Sequence, residues 1–183
     1  MAKITIVFHS GYGHTKVMAE RVKAGAERVA GTDVRLVPVE KVEGHWADLE
    51  ASDAIIFGSP TYMGNVSGPF KMFMDASSKA WLEQRWKDKL AAGFTISGSP
   101  SGDKLNTLQG LMIFAMQHGM VWVGNAEMPY NEQGINRLGS FSGVMAQAGQ
   151  VAPEVEPNEA DRLSAEALGQ RVALSTHRWV KGA

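Results

Sequence analysis

Three stretches of this sequence concentrate small and hydroxyl-bearing residues: "SGYGHT" at 10–15, "SPTYMGNVSG" at 59–68 and "SGSPSGDK" at 97–104. In the first, Gly11 and Gly13 let the backbone approach a phosphate closely, and Ser10 and Thr15 offer hydroxyl donors. The stretch runs into a helical pattern, where unpaired N–H groups and the positive end of the helix dipole attract an anion. Tyr12 and Tyr62 add aromatic surface that gains stacking energy wherever a flat ring lies beside it. Any one of these stretches is equally a capped turn. Three of them at the exits of apolar strands are a stronger signal for a binding site.

Two familiar phosphate motifs are absent. A Walker loop needs a lysine just after its second glycine, and a dinucleotide fingerprint needs a third glycine near Lys16; neither is present. Glu40 sits where a ribose-binding acid would stand, but reads as a solvated strand end. A phosphoacceptor aspartate closing the third strand is also missing, since Gly58, Ser59 and Pro60 occupy that place. There is no cysteine, which removes disulfides, thiol catalysis and cysteine–metal sites. His9, His45 and His177 share no metal-ligand spacing, so no metal is expected.

The elements that must position these loops follow from periodicity. Residues 3–8 are β-branched and short, like a strand buried on both faces. A helix is expected from Thr15, with Met18, Val22, Ala26 and Val29 along its apolar stripe and Gly31 at its stop. Strands follow at 34–39, ending at Pro38-Val39, at 53–59, at 89–97 and at 120–125. Helices are expected between them, near 45–52, from Pro69 to about residue 80, and from 105 to 118. A last amphipathic helix carries Leu163, Leu168, Val172 and Trp179. Met112 and Met116 read as core, and Trp86 as a packing aromatic. Repeated strand–helix alternation means a parallel sheet with helices on both faces, which binds ligands beyond the carboxyl ends of its strands.

The whole chain, 1–183, is expected to be one α/β domain. Residues 126–157 are too long for an ordinary connection and are expected to form an insertion or flap. The net charge of −1 argues against nucleic acid as a partner, because phosphate neutralisation needs a basic face. The apolar run at the N-terminus is too short for a membrane span or a signal segment, so a cytoplasmic protein without a membrane span is expected.

The opening "MAKITIVFHSGYGH", the stretch "DAIIFGSPTYMGNVSG" and "QHGM" at 117–120 together resemble the WrbA-type, FMN-dependent NAD(P)H:quinone oxidoreductases. The resemblance covers most of the chain. It implies a flavodoxin-like, doubly wound fold with a five-stranded parallel sheet in the order 2-1-3-4-5. FMN would be held by Ser10, Gly11, Tyr12, Gly13, His14 and Thr15 at its phosphate. Pro60, Thr61, Tyr62, Met63, Gly64 and Asn65 would follow one edge of the ring system, and Ser97, Gly98, Ser99, Pro100, Ser101 and Gly102 the other. His118 would stand beside the flavin, and His118 and Tyr12 would assist proton delivery. Tyr12, Tyr62 and Trp81 would line the substrate pocket, with Trp81 often contributed by a neighbouring subunit, implying a homo-oligomer, a dimer or tetramer. NAD(P)H would deliver hydride through FMN to a quinone, ping-pong in one shared pocket. Two departures from the family pattern stand out: Ser99-Pro100-Ser101-Gly102-Asp103 replaces a threonine and consecutive glycines, and Tyr62 replaces a common arginine. The alternative implied by the fold is a flavodoxin-type electron carrier, which as a class is strongly acidic; a charge near zero counts against it.

Overall fold

The computed structural model describes residues 1–182. Seven strands and six α-helices alternate along the chain. They are β1 (Ala2–Phe8), α1 (His14–Glu27), β2 (Thr32–Pro38), α2 (Trp46–Ala51), β3 (Ala54–Tyr62), β4 (Asn65–Val66), α3 (Gly68–Ala76), α4 (Ser78–Leu82), β5 (Leu90–Ser97), α5 (Lys104–Gln117), β6 (Val121–Trp122), β7 (Val144–Gln147) and α6 (Glu159–Lys181). Pairing in the sheet runs β2-β1-β3-β5-β6, all parallel, with β7 on the same edge of β5 as β6. Counting the β6/β7 position as the fifth strand, this is the expected order 2-1-3-4-5. The turn of strand order falls between β1 and β3, where the loops after both must open a crevice.

Strand alternation explains the two cores. Ile4, Ile6, Ala54, Ile56, Ala92 and Phe94 face α1 and α6 with Met18, Val22, Leu168 and Val172. Val7, Ile55, Phe57 and Ala91 face the other way, against Leu49, Phe70, Phe73, Trp86, Leu108 and Leu111. Both faces of the sheet are therefore buried, as an all-parallel sheet requires. Pro38 ends β2 at the sheet's edge, where its missing N–H costs no ladder bond.

The structure departs from the sequence expectations in four places. Strand five, expected at 120–125, occupies only Val121–Trp122, pairing with Leu90 and Ala91. The chain then leaves the sheet and returns as β7, where Val144 to Gln147 pair with Phe94 to Ser97. The segment 126–157 thus contains a strand of the sheet, and the excursion proper lies between Trp122 and Val144. Its neck is pinned by Asn125 N–H donating to the Phe141 carbonyl (3.0 Å) and Trp122 Nε1–H to the Ser142 carbonyl (2.8 Å).

Second, β3 runs on past Gly58 to Tyr62 and turns back into β4 through Met63 (φ 48°) and Gly64 (φ 76°). This is a two-residue hairpin with both central residues left-handed, not an open loop. Third, the helix from Pro69 breaks at Ser77 into α3 and α4. Fourth, Met116 is exposed rather than core, because α5 buries Leu108, Leu111 and Ala115 and turns Ile113 and Met116 outward. Trp179 is likewise half exposed at the end of α6.

Candidate functional site

A cleft of about 590 Å³ opens beyond the carboxyl ends of the strands. Its walls come from four strand exits: Tyr12, His14 and Thr15 after β1, Pro60 and Tyr62 at the end of β3, Ser97 and Gly98 after β5, and the run from Ala148 to Val151 after β7. Its size lies within the range of small-molecule and cofactor sites.

The first wall is a sharp entry into α1. Gly13, its N-cap, has φ +92°, and no side chain at that position caps the helix. Ser10 Oγ accepts from the Lys16 N–H at 3.1 Å. The N–H groups of His14 and Thr15, first and second in the helix, have no intrahelical acceptor and must be satisfied from outside it. A Cβ at Gly13 would lie 2.8 Å from the Pro153 ring, so the chain just beyond the fourth wall packs directly over this turn. Gly11 is comparably tight, with the Tyr62 hydroxyl 2.9 Å from where its Cβ would stand.

His14 receives a definite role. Its Nε2 donates to the Val151 carbonyl at 2.8 Å, tying the first wall to the fourth. The fourth wall is further fixed from α6: Arg162 donates to the carbonyls of Pro153 and Glu154 (3.2 and 2.9 Å). Tyr12 stands at the mouth, 78% exposed, while Tyr62 is about half as exposed. Burial, and then the neighbouring Tyr12, push the Tyr62 hydroxyl above its ordinary pKa, so it stays protonated at neutral pH.

Several expected residues support the cleft from behind instead of lining it. Thr61 is buried, and its hydroxyl joins those of Thr95 (2.7 Å) and Thr107 (2.8 Å) beneath the hairpin. Asn65 accepts from the next N–H in its own strand through Oδ1, and the Gly64 carbonyl accepts from Asn106. Met63 is fully exposed at the hairpin tip. Pro100 and Ser101 face a second depression with Asp103, Asn106 and Leu138. Ser99 and Gly102 shape the third loop from its inner side.

Two expected residues lie elsewhere. Helices that follow parallel strands run back along the sheet, so α4 and the end of α5 lie at the edge opposite the cleft. Gly119 illustrates this, since its carbonyl accepts from Asp88 just before β5 begins. His118 is buried there, stacked on Trp86 at 4.2 Å and edge-on to Phe114 at 4.9 Å. It does not stand beside the cleft of its own chain. Trp81, half exposed on α4, is at that same far edge. The fourth wall was not singled out in the sequence as part of the site. The signal was available, because "AQAGQ" at 146–150 is another run of small residues leaving a strand.

An open parallel sheet with a ring-sized cleft at its switch point, floored by a phosphate-type helix entry, defines a mononucleotide-binding α/β protein. The family model for NADPH-dependent FMN reductase matches residues 37–133, just over half the chain. An NAD(P)H dehydrogenase (quinone) of Archaeoglobus fulgidus is 35% identical, with 94% of this chain and 96% of that protein covered. Flavodoxin FldP of Pseudomonas aeruginosa is 38% identical, over 81% of this chain and 82% of its own length. The structure of a flavodoxin, WrbA-like protein from Agrobacterium tumefaciens superposes with a TM-score of 0.77 at 41% identity, covering 97% of this chain and 99% of that one. The chain belongs to the NADPH-dependent FMN reductase family, with the WrbA-type flavodoxin-like fold. Among the described residues, no helix is long and apolar enough to cross a membrane, and no cluster of three or more His, Asp or Glu forms a metal site.

Proposed function

We propose that the protein is an FMN-dependent oxidoreductase that takes electrons from NAD(P)H and passes them to a quinone or a similar two-electron acceptor. The observation that carries this reading is the convergence of four strand exits on one cleft at the start of α1. The donor set suits FMN: amides and hydroxyls of residues 10–15 for a phosphate, and small residues with two tyrosines for a flat ring. Bound flavin supplies the redox chemistry by accepting and releasing an electron pair. The chain's own residues bind, orient and shield. Thr15 and the amides of His14 and Thr15 hold the phosphate, and Tyr62, Pro60, Ser97 and Gly98 flank the ring system. The run from Ala148 to Val151 keeps water from the side that His14 latches. Tyr12, at the mouth, meets the incoming nicotinamide or quinone and turns its hydroxyl toward the acceptor oxygen.

Trp81 can wall this cleft only from another copy, because it lies at the far edge of its own sheet. Exposed Met72, Leu105, Ile113 and Met116 on the α3 and α5 side offer the apolar surface for such an assembly, and we read the protein as a homo-oligomer. Its setting would be the cytoplasm.

The likeness to Flavodoxin FldP favours a second reading, an electron carrier without direct NAD(P)H oxidation. Anaerobic mixing separates the two. As a reductase, the FMN-loaded protein loses its yellow absorbance on adding NADH or NADPH and recovers it on adding benzoquinone. Bleaching by dithionite but by neither nicotinamide would establish the carrier and end the reductase reading.

A further inference from the structure

The third loop is wound around a buried cation. Lys104, the first residue of α5, is fully buried, and its Nζ donates to Ser97 Oγ (3.0 Å), the Ser99 carbonyl (2.6 Å) and the Pro100 carbonyl (3.0 Å). These bonds use all three ammonium hydrogens. Ser97 Oγ itself donates to the Ser99 carbonyl at 3.2 Å, closing the ring. Gly102 and Asp103, both left-handed, return the chain to the helix, and a Cβ at Gly102 would lie 2.4 Å from Ser97 Oγ.

Closing a loop does not require a charge. Burying an ammonium is costly, and the first turn of a helix is the least favourable place for one, because the helix dipole is positive there. The surroundings do not neutralise it. The two charged groups that act on it most, Asp161 and Arg137, are paired with each other at 2.8 and 2.9 Å, and the neighbouring Asp103 is exposed to solvent. Burial lowers the ammonium to about 8, with Asp161 opposing the shift and Arg137 adding to it, so at pH 7 it remains largely charged. Ser97, which it touches, lines the cleft, and no lysine, arginine or carboxylate is among the lining residues.

We propose that Lys104 is a positioning residue for the cofactor: it shapes the third loop, and its net positive charge behind Ser97 favours reduced FMN over oxidised FMN. The inference rests on the reading that FMN occupies this cleft. Reduction by two electrons and one proton leaves the cofactor one charge more negative, and a fixed cation in a partly buried setting stabilises that form selectively.

The test compares oxidised-FMN affinity, by fluorescence titration of apoprotein, with the midpoint potential of bound FMN at pH 7. Lys104→Gln keeps hydrogen-bond donors but removes the charge. It is expected to bind oxidised FMN within about threefold of the parent while reduced FMN weakens about tenfold more than oxidised FMN does, the order expected for one buried charge acting across intervening protein. That ratio corresponds to a potential lower by about 30 mV for a two-electron couple. Lys104→Arg keeps the charge and should hold the parent potential even if the loop binds oxidised FMN less tightly. Lys104→Met should weaken both forms; if it does not fold, the Gln and Arg variants still decide. Equal potentials in the parent and Lys104→Gln, or equal shifts in the Gln and Arg variants, overturn the proposal. A parent protein that binds no FMN would instead overturn the cofactor reading beneath it.

Discussion

His118 shows how much a residue's chemistry depends on where the fold leaves it. Ser77 Oγ gives its hydrogen to the Met74 carbonyl at 2.7 Å, so the 2.9 Å contact with His118 must be Nε2–H donating to Ser77. That leaves Nδ1 buried, lone pair inward, without a partner. Burial lowers the imidazole to about 4, from an ordinary value of 6.5. Between these values the unfolded chain binds a proton that the folded chain refuses. Stability from this residue is therefore complete above pH 6.5 and is lost as pH falls toward 4, by on the order of 3 kcal/mol. His118→Phe should flatten the pH dependence of urea-unfolding free energy over that window; an unchanged slope would show that the cage does not hold the imidazole neutral. From sequence alone, "QHGM" pointed through family likeness to a flavin neighbour, and only the register of β5 with β6 moves it to the far edge. His14 was opaque for the opposite reason: its partner is a carbonyl 137 residues away, and no local pattern encodes that. Lys104 also carried no signal, because a lysine at a helix start reads as solvated.

The elements were largely legible because two different periods mark them. The alternation Ile4/Ile6 against Val7, and the stripe Met18, Val22, Ala26, are enforced by burial on the two faces of the sheet. What escaped were features set by contact between elements. The clearest is the crossing of α1 and α6. A Cβ on Gly169 would sit 1.9 Å from the Val22 carbonyl, and one on Gly25 would sit 1.9 Å from the Glu166 carbonyl. Neither glycine serves as a turn; each lets one backbone lie against the other. Close by, the buried Glu166 carboxylate pairs with Arg21 at 2.7 Å and with Arg28, both on or just beyond α1. Gly169→Ala would gain up to about 1 kcal/mol of helix propensity. It would lose more by forcing the helices apart, about 1–3 kcal/mol and more where backbone cannot yield. A net loss near 2 kcal/mol corresponds to a melting temperature lower by about 4–8 °C. Calorimetry of this variant checks the crossing, and a melting temperature at or above the parent value would refute it.

For the molecule as a whole, the excursion between Trp122 and Val144 leaves the sheet at a neck held by Val123 N–H to the Ala91 carbonyl and Arg171 to the Gly124 carbonyl, and beyond residue 126 it is rooted on α6. It contributes no residue to the cleft walls. Its distal part is anchored through Asn136, whose N–H donates to Ser164 Oγ at 2.7 Å, and through Arg137, bidentate to Asp161. Asp161 is only 1% exposed and keeps the Gln147 N–H as its other long-range partner. Replacing residues 127–139 with a short Gly–Ser link should preserve FMN affinity while costing about 3 kcal/mol, the effect of stranding a buried carboxylate. Adding Asp161→Asn should then recover most of that loss in urea unfolding. No recovery would place the cost elsewhere in the excursion. Sequence reading found this segment by its length alone, and could not see β7 within it because four residues are too few for a period to emerge.

The four walls of the cleft are also spread along nearly the whole chain, from Tyr12 to Val151, and the fourth is fastened by α6. A polypeptide still leaving the ribosome presents three loops and no closed seat. A complete seat for the flavin therefore requires the chain through at least Arg162 of α6, and a protein cut before that helix should bind FMN more weakly than the parent in a fluorescence titration.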